Sequence, residues 1–363
     1  MTHDYGARIG ALLHLMKADS VDALLASVGA DLPYLTGYEA MPLERLTMLV
    51  FVRGNPPVLL VPELEAPRVV QRPGIFDVRP WRETEDPIAI VANLIDGVDS
   101  VVIGDQTWAT FVLDLERLLP NARFRIASPL TRELRMRKDG TELDALRRAA
   151  HGTDRVAVRL QEIRFSGLRE VDLSRLVAEL VVEEGHHVAA FAIVASGPNG
   201  ASPHHEAGER IIGEGDAVVV DFGGRWDGYC SDTTRTFHVG EPSAEYRWIF
   251  AALEEAQTAA VEAVRPGVTA QHVDRTARNL IERAGYGQFF VHRTGHGIGL
   301  EAHEHPYIVE GNELVLEPGM TFSIEPGIYL PDRFGMRIED IVAVTGDGVE
   351  RLNRSDRSLA IVG

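Results

Sequence analysis

Five short stretches between residues 196 and 342 set polar, proton- and metal-competent side chains against apolar, strand-like sequence: SGPNGASPHHE, VDFGGRWDGYCSD, VHRTGHGIGLEAHEHP, FSIEPGIYL and GMRIEDIV. In the second, a valine run drives straight into Asp221, and Asp232 follows a glycine-rich turn. Ala217 to Val220 and Ser231 to Phe237 read as strands, with Asp227-Gly228 as the hairpin turn between them. Asp221 and Asp232 then fall opposite or diagonal to one another, with Cβ atoms roughly 5 to 8 Å apart. Two carboxylates on an apolar hairpin repel, and one takes up a proton unless a cation lies between them. Glu325 sits among Phe322, Ile324 and Ile328, and Glu339 is expected to share a strand face with Arg337 and Ile341, so charge again stands where core is expected. His296, between Gly295 and Gly297, has nothing bulky beside it to block a ligand and is the candidate imidazole. Singly, each of these has a structural reading: turn aspartates, an ion-paired glutamate, a core histidine. Together, four carboxylates and a histidine make a hard, oxygen-rich set with charge enough for two divalent ions and a bridging hydroxide. Paired metals activate water and polarise a carbonyl, which is the chemistry of amide or ester hydrolysis. His204, His205, His292 and His303 are left to orient substrate or stabilise an oxyanion.

Other readings of the same residues fail. GHGIGLEAHE has alternating glycines but no preceding strand-to-helix phosphate turn and no later ribose-binding acid, so it is not a dinucleotide site. HEHPY is not HExxH, because its two histidines flank one glutamate and Pro306 would break the helix that motif needs. Cys230 is the single cysteine, which excludes an intrachain disulfide and a cysteine-based zinc site. Acidic residues outnumber basic ones 54 to 36, for a formal charge of -18, which repels phosphate backbones and anionic lipid, so neither nucleic acid nor a membrane is expected as partner. The first twenty residues carry no long apolar segment, and no stretch approaches the ~20 apolar residues that span a bilayer. The cytoplasm is the expected compartment.

The elements that must position these groups fall into two domains, as 363 residues with 45% hydrophobic content allow. Residues 1–135 alternate short strands (DALLASV, LTMLVFV, PPVLLVP, VVIGD) with helical patterns at 8–17 and in TWATFVLDLERLL, which is an α/β domain. Residues 136–363 open on a helical pattern over 139–165, with Thr141 as its expected cap and Asp144 three residues on. Helices at about 169–185, 244–264 and 269–284 follow, with strand patterns between and after them, giving an α+β domain.

The order Asp221, Asp232, His296, Glu325, Glu339, inside TGHGIGLEAHEHP, SIEPGIY and RIED, resembles the pita-bread metallopeptidase family of aminopeptidase P, prolidase and methionine aminopeptidase. DALLASVGADLPYLTGY is similar to the creatinase-type N-terminal domain of the proline peptidases, so the resemblance spans nearly the whole chain. It implies a creatinase-like α/β domain followed by a pita-bread catalytic domain. By analogy Asp221 holds one metal ion, His296 and Glu325 the other, and Asp232 and Glu339 bridge them, with Glu325 also the general acid and base. The positions of substrate-contacting histidines match His205, His292 and His303, and Tyr329 and Arg337 match substrate-binding positions near the site, where the arginine is also placed to hold the bridging carboxylates. The implied activity is cleavage of the Xaa-Pro bond in dipeptides or short peptides by a homodimer, with manganese the expected metal and cobalt or zinc also compatible. The rivals are a relative acting on non-proline dipeptides or another amide, a creatinase-like metal-free amidinohydrolase, and a binding protein without turnover. One departure stands out: many dipeptide-specific prolidases carry an arginine just after the His-Glu-x-Pro motif to grip the substrate carboxylate, and this chain has Tyr307. Arg333, Arg337 or an N-terminal-domain residue are the candidates to replace it.

Overall fold

Residues 3–363 are described by the structure, a computed structural model, and they form two compact units that divide between Arg135 and Met136. In the first unit six strands form one mixed sheet: β1 (Ala23–Ala26), β2 (Met48–Val52), β3 (Val58–Pro62), β4 (Asp77–Trp81), β5 (Ser100–Ile103) and β6 (Arg123–Ile126), in the order β4-β3-β2-β1-β5-β6. β1 is buried along its whole length and β2 along nearly all of it. Their apolar runs pack with Val91 of α3 (Pro87–Leu94) and Leu115 of α4 (Ala109–Leu118) in one core. The remaining helices of this unit are α1 (Tyr5–Ala18), α2 (Asp31–Thr36) and α5 (Ser128–Arg135). The two edge strands escape hydrophobic patterning: β4 contains Pro80, and β6 exposes Arg123 and Arg125 to solvent. Proline and charge are what a sheet edge tolerates and an interior strand does not.

The second unit begins with α6 (Gly140–Leu160). Its cap is Asp139, not Thr141: the Asp139 carboxylate accepts the Glu142 N–H at 2.8 Å and the Glu142 carboxylate accepts the Asp139 N–H at 3.0 Å, closing a capping box. Asp139, with ψ 174°, has the extended backbone a cap requires, whereas Thr141 already lies inside the helix. After α7 (Glu170–Glu183) come β7 (Val188–Ser196), β8 (Ala217–Trp226), β9 (Tyr229–Cys230) and β10 (Thr233–Val239). Helices α8 (Ala244–Ala263) and α9 (Ala270–Arg283) lead to β11 (Gly295–Gly297), β12 (Glu304–Ile308), β13 (Thr321–Ile324), β14 (Gly327–Leu330), β15 (Phe334–Arg337), β16 (Asp340–Val344), β17 (Val349–Arg351) and β18 (Ala360–Val362). Two sheets result, β18-β10-β8-β7 with β9 on β8, and β12-β11-β13-β16-β17, beside the β14-β15 hairpin. Helices α6 and α7 bury Val156, Leu160, Val177 and Val181 against Val218, Val220, Phe222 and Phe237 of the first sheet. Helices α8 and α9 bury Leu253, Ala256, Val273 and Ala277 against Phe322, Ile324 and Val342 of the second. Both inner layers are thus covered by apolar helix faces, and the charged residues collect on the strands between. No helix among the described residues is long and apolar enough to cross a membrane.

Candidate metal centre

The hairpin that carries the two aspartates turns at Asp227 and Gly228, both at positive φ (50° and 86°), which is the type I′ geometry that fits the strand twist. Register places Thr234 opposite Asp221, so Asp232 stands diagonal to Asp221. The strand does not end at Asp221, as the valine run implies, but continues through it to Trp226, so Asp221 projects from mid-strand while Asp232 sits at the mouth of β10. The second sheet delivers the rest. His296 is the central residue of β11, Glu325 follows β13 directly, and Glu339 lies in the break between β15 and β16. Arg337, Glu339 and Ile341 therefore do not share one strand face: the chain leaves the β14-β15 hairpin at Arg337 and joins the second sheet at Asp340. The glycines flanking His296 are required by backbone approach, since a Cβ on Gly295 or Gly297 would meet the Ser323 or His305 carbonyl oxygen at 1.8 and 2.2 Å.

Asp221, Asp232 and Glu339 present oxygens within 4.8 Å of one another, as do the ligand atoms of His296, Glu325 and Glu339, and those of Asp232, His296 and His303. Asp221, Asp232, His296 and Glu339 are buried. Burial, reinforced by the facing carboxylates, pushes Asp232 and Glu339 well above the ordinary carboxylate range, and burial brings Glu325 up to about 7 against the pull of Arg337. Burial also lowers His296 to about 3, so its ring is neutral. The His296 Nδ1–H donates to the Gly297 carbonyl at 3.1 Å, which leaves the Nε2 lone pair facing Glu325 Oε1 at 3.3 Å and Asp232 Oδ2 at 3.7 Å. Without a cation, only a carboxyl proton can stand between that lone pair and these oxygens, and Glu339 Oε1 is buried with no hydrogen-bond partner at all. Hard cations relieve both conditions, so the residues present fit divalent metal ions.

The surroundings hold these groups in place. Arg337 donates from Nη2 to Asp221 at 2.5 Å, from Nε to Thr234 at 3.0 Å and from Nη1 to the Tyr329 hydroxyl at 3.0 Å. Thr234 Oγ1 in turn lies 2.9 Å from Asp221 Oδ1 and 2.8 Å from Glu339 Oε2. Ser323 Oγ accepts the His296 N–H at 3.0 Å and donates to Glu325 at 3.1 Å. A cavity of about 780 Å³ opens over the centre, lined by Phe191, Ile193, Pro203, His204, His292, Arg293, Ala302 and His303 besides the ligand candidates and Arg337.

Three expectations for substrate contacts change. His205 is absent from the cavity wall: its Nε2 lies 2.9 Å from the buried Glu170 carboxylate, and His204 faces the cavity in its place. Tyr329 is buried behind the wall, its hydroxyl 2.9 Å from His292 Nε2. Because His292 Nδ1–H donates to the Arg293 carbonyl at 2.7 Å, that hydroxyl donates to His292. Arg337 lines the cavity, yet its nitrogens are committed to Asp221, Thr234 and Tyr329. The positioning role of Thr234 has no sequence signal beyond its nearness to Asp232, and the anchoring role of Glu170, far from every motif in the sequence, has none at all.

Residues 144–346 match metallopeptidase family M24, and residues 8–137 match the creatinase/prolidase N-terminal domain. The chain belongs to metallopeptidase family M24. This metallopeptidase is similar to the probable dipeptidase PepE of Mycobacterium tuberculosis, 45% identical over 359 residues that cover 96% of both chains. To the Xaa-Pro dipeptidase of Lactobacillus helveticus it is 37% identical over 344 residues, 91% of this chain and 92% of that one. The crystal structure of a prolidase from Thermococcus sibiricus matches with a TM-score of 0.94 at 37% identity, covering 100% of both chains. The creatinase-like domain followed by a pita-bread domain is the fold of this metallopeptidase, and its family implies divalent metal ions.

Proposed function

We propose that this metallopeptidase is an exopeptidase that hydrolyses the Xaa-Pro bond of dipeptides or short peptides. The observation that carries the proposal is the convergence, at the base of one cavity, of four carboxyl groups and a neutral imidazole, with Glu339 Oε1 unpartnered. Asp221, Asp232, His296, Glu325 and Glu339 would hold two divalent ions, manganese being expected. Bound there, the ions supply Lewis acidity, which lowers the pKa of an attacking water and polarises the scissile carbonyl. Glu325 takes the proton from the attacking water and returns it to the leaving nitrogen. Arg337 and Thr234 keep Asp221 and Glu339 in place through that exchange. His204, His292 and His303 stand on the wall where they can orient the peptide, and Phe191, Ile193, Pro203 and Ala302 offer apolar surface to a proline ring. A homodimer acting in the cytoplasm belongs to the same proposal, the homodimer resting on the family resemblance.

The test is proline release from Ala-Pro and Ala-Pro-Ala by chelator-stripped enzyme restored with manganese, with Ala-Leu beside them. Metal-dependent release of proline, with Ala-Leu cut far more slowly, is the expected result. Equal cleavage of Ala-Leu would replace the proline reading with a general dipeptidase, the class named for the mycobacterial relative. Undiminished turnover after exhaustive chelation would contradict the metal centre and mean metal-free hydrolysis of the peptide bond.

A further inference from the structure

The cavity contains a second arginine whose guanidinium is not spent. Arg293 lines the cavity two residues before the start of β11, and among the described residues its guanidinium makes no ion pair. Instead it lies over the ring of Tyr307, 4.4 Å from the centroid. Tyr307 occupies the position after the His-Glu-x-Pro motif, and its backbone pairs with His296 across β11 and β12, so the stacked cation is held directly beside the metal centre. The segment carrying it is fixed from behind: Arg278 of α9 donates to the Phe290 and His292 carbonyls at 3.0 and 2.9 Å, and the buried Asp274 accepts the Thr294 N–H and hydroxyl at 3.1 and 2.8 Å. The other arginines raised by the sequence are engaged, Arg333 with Glu245 at 2.8 Å on the surface and Arg337 with Asp221.

A planar guanidinium held on an aromatic face, partly out of water and without an ion-pair partner, presents its free edges for bidentate recognition of a carboxylate. From this geometry we infer that Arg293, seated on Tyr307, binds a carboxylate of the peptide substrate. The carboxylate is the free chain end of a dipeptide or the side chain of an acidic first residue. This inference rests on the reading of the site as a peptidase; where the chain end is the carboxylate bound, it makes the enzyme prefer free acids over amides although no arginine follows the motif.

The experiment compares Ala-Pro with Ala-Pro-amide, Ala-Leu with Ala-Leu-amide, and Asp-Pro with Ala-Pro, using manganese-loaded wild type, Arg293→Met and Arg293→Lys. If Arg293 grips the chain end, Arg293→Met lowers kcat/KM on the free acids by roughly ten- to a hundredfold, mostly through KM, while the amides change by no more than about twofold. Arg293→Lys, with charge but no planar fork, recovers part of the loss. If it reads the side chain, wild type prefers Asp-Pro over Ala-Pro, and Arg293→Met abolishes that preference without touching the acid-to-amide ratio. Either pattern upholds a carboxylate-binding arginine and assigns its source. Equal losses on every substrate, or none, overturn it. Absence of proline release from wild type defeats the proline reading alone, because the Ala-Leu pair still reports the acid-to-amide ratio. Should neither dipeptide turn over, calorimetric titration of proline into wild type and Arg293→Met decides: unchanged affinity overturns the inference, and a loss of tenfold or more supports it.

Discussion

Two arginines line the same cavity and stand in opposite conditions. Arg337 is 4% exposed and committed through Nη2, Nε and Nη1 to Asp221, Thr234 and Tyr329, so its charge is absorbed by the architecture of the centre. Arg293 is partly exposed, touches an aromatic ring and, among the described residues, forms no ion pair, its charge reaching Glu325 only from a distance. The difference separates two tasks that composition alone merges. A buried, fully paired guanidinium fixes ligand geometry, and a stacked, unpaired one waits for something to arrive.

Substitutions test this contrast, and the largest effect is expected at the proton carrier. Glu325→Gln keeps the size of the side chain but removes the proton carrier, and kcat on Ala-Pro should fall by about 10²- to 10⁴-fold while the fold, read by circular dichroism, is kept. Arg337→Met strands the buried Asp221 carboxylate. Breaking a buried pair from one side costs about 3–5 kcal/mol, to be read as a loss of chemical-unfolding stability in the metal-free protein. An unchanged unfolding midpoint would mean that Arg337 does not hold the centre together. Arg293→Met should leave that midpoint alone and act on KM for free acids, which makes the two arginines separable in one pair of assays.

Smaller effects lie further out. Glu170 accepts from Ser196, Asn199, His205 and Gly208; despite the cost of its burial, these bonds hold its carboxyl below the ordinary glutamate range. A depressed folded pKa contributes stability that is present above the unfolded value and is lost as pH falls through the folded one. Wild type should therefore exceed Glu170→Gln in Tm at neutral pH, with the gap closing as pH drops below the ordinary glutamate range. A constant gap would show that the network does not depend on the charge. Arg333→Ala, which removes an exposed pair with Glu245, should change neither Tm nor the acid-to-amide ratio, and a fall in that ratio would move the carboxylate site away from Arg293.

What could be read in the sequence follows from how locally each feature is determined. The Asp227-Gly228 turn, the glycines around His296 and the acids standing in apolar runs are visible because backbone conformation and burial cost act within a few residues. The choice between His204 and His205 was not visible: the two are chemically identical neighbours, and it is Glu170, far away in the sequence, that draws one of them off the cavity wall. The break after Arg337 was hidden because RIEDIV alternates as a single strand would, while tertiary pairing assigns its two ends to different sheets. Arg293 does not stand out inside VHRTGHG because the absence of a partner is a property of three-dimensional surroundings, and nothing in residue type announces it. The polar edge strands β4 and β6 escaped for the converse reason, since an edge needs no hydrophobic period.

The central claim is that Asp221, Asp232, His296, Glu325 and Glu339 form one metal centre on which turnover depends. It is tested most directly by calorimetric titration of manganese into chelator-stripped protein, with Ala-Pro hydrolysis followed in parallel, for wild type and Asp232→Asn. Wild type is expected to bind two ions per chain with activity that rises as they bind, and Asp232→Asn to lose both ion occupancy and activity. Hydrolysis at full rate by the stripped protein, or ion binding untouched by Asp232→Asn, would contradict it.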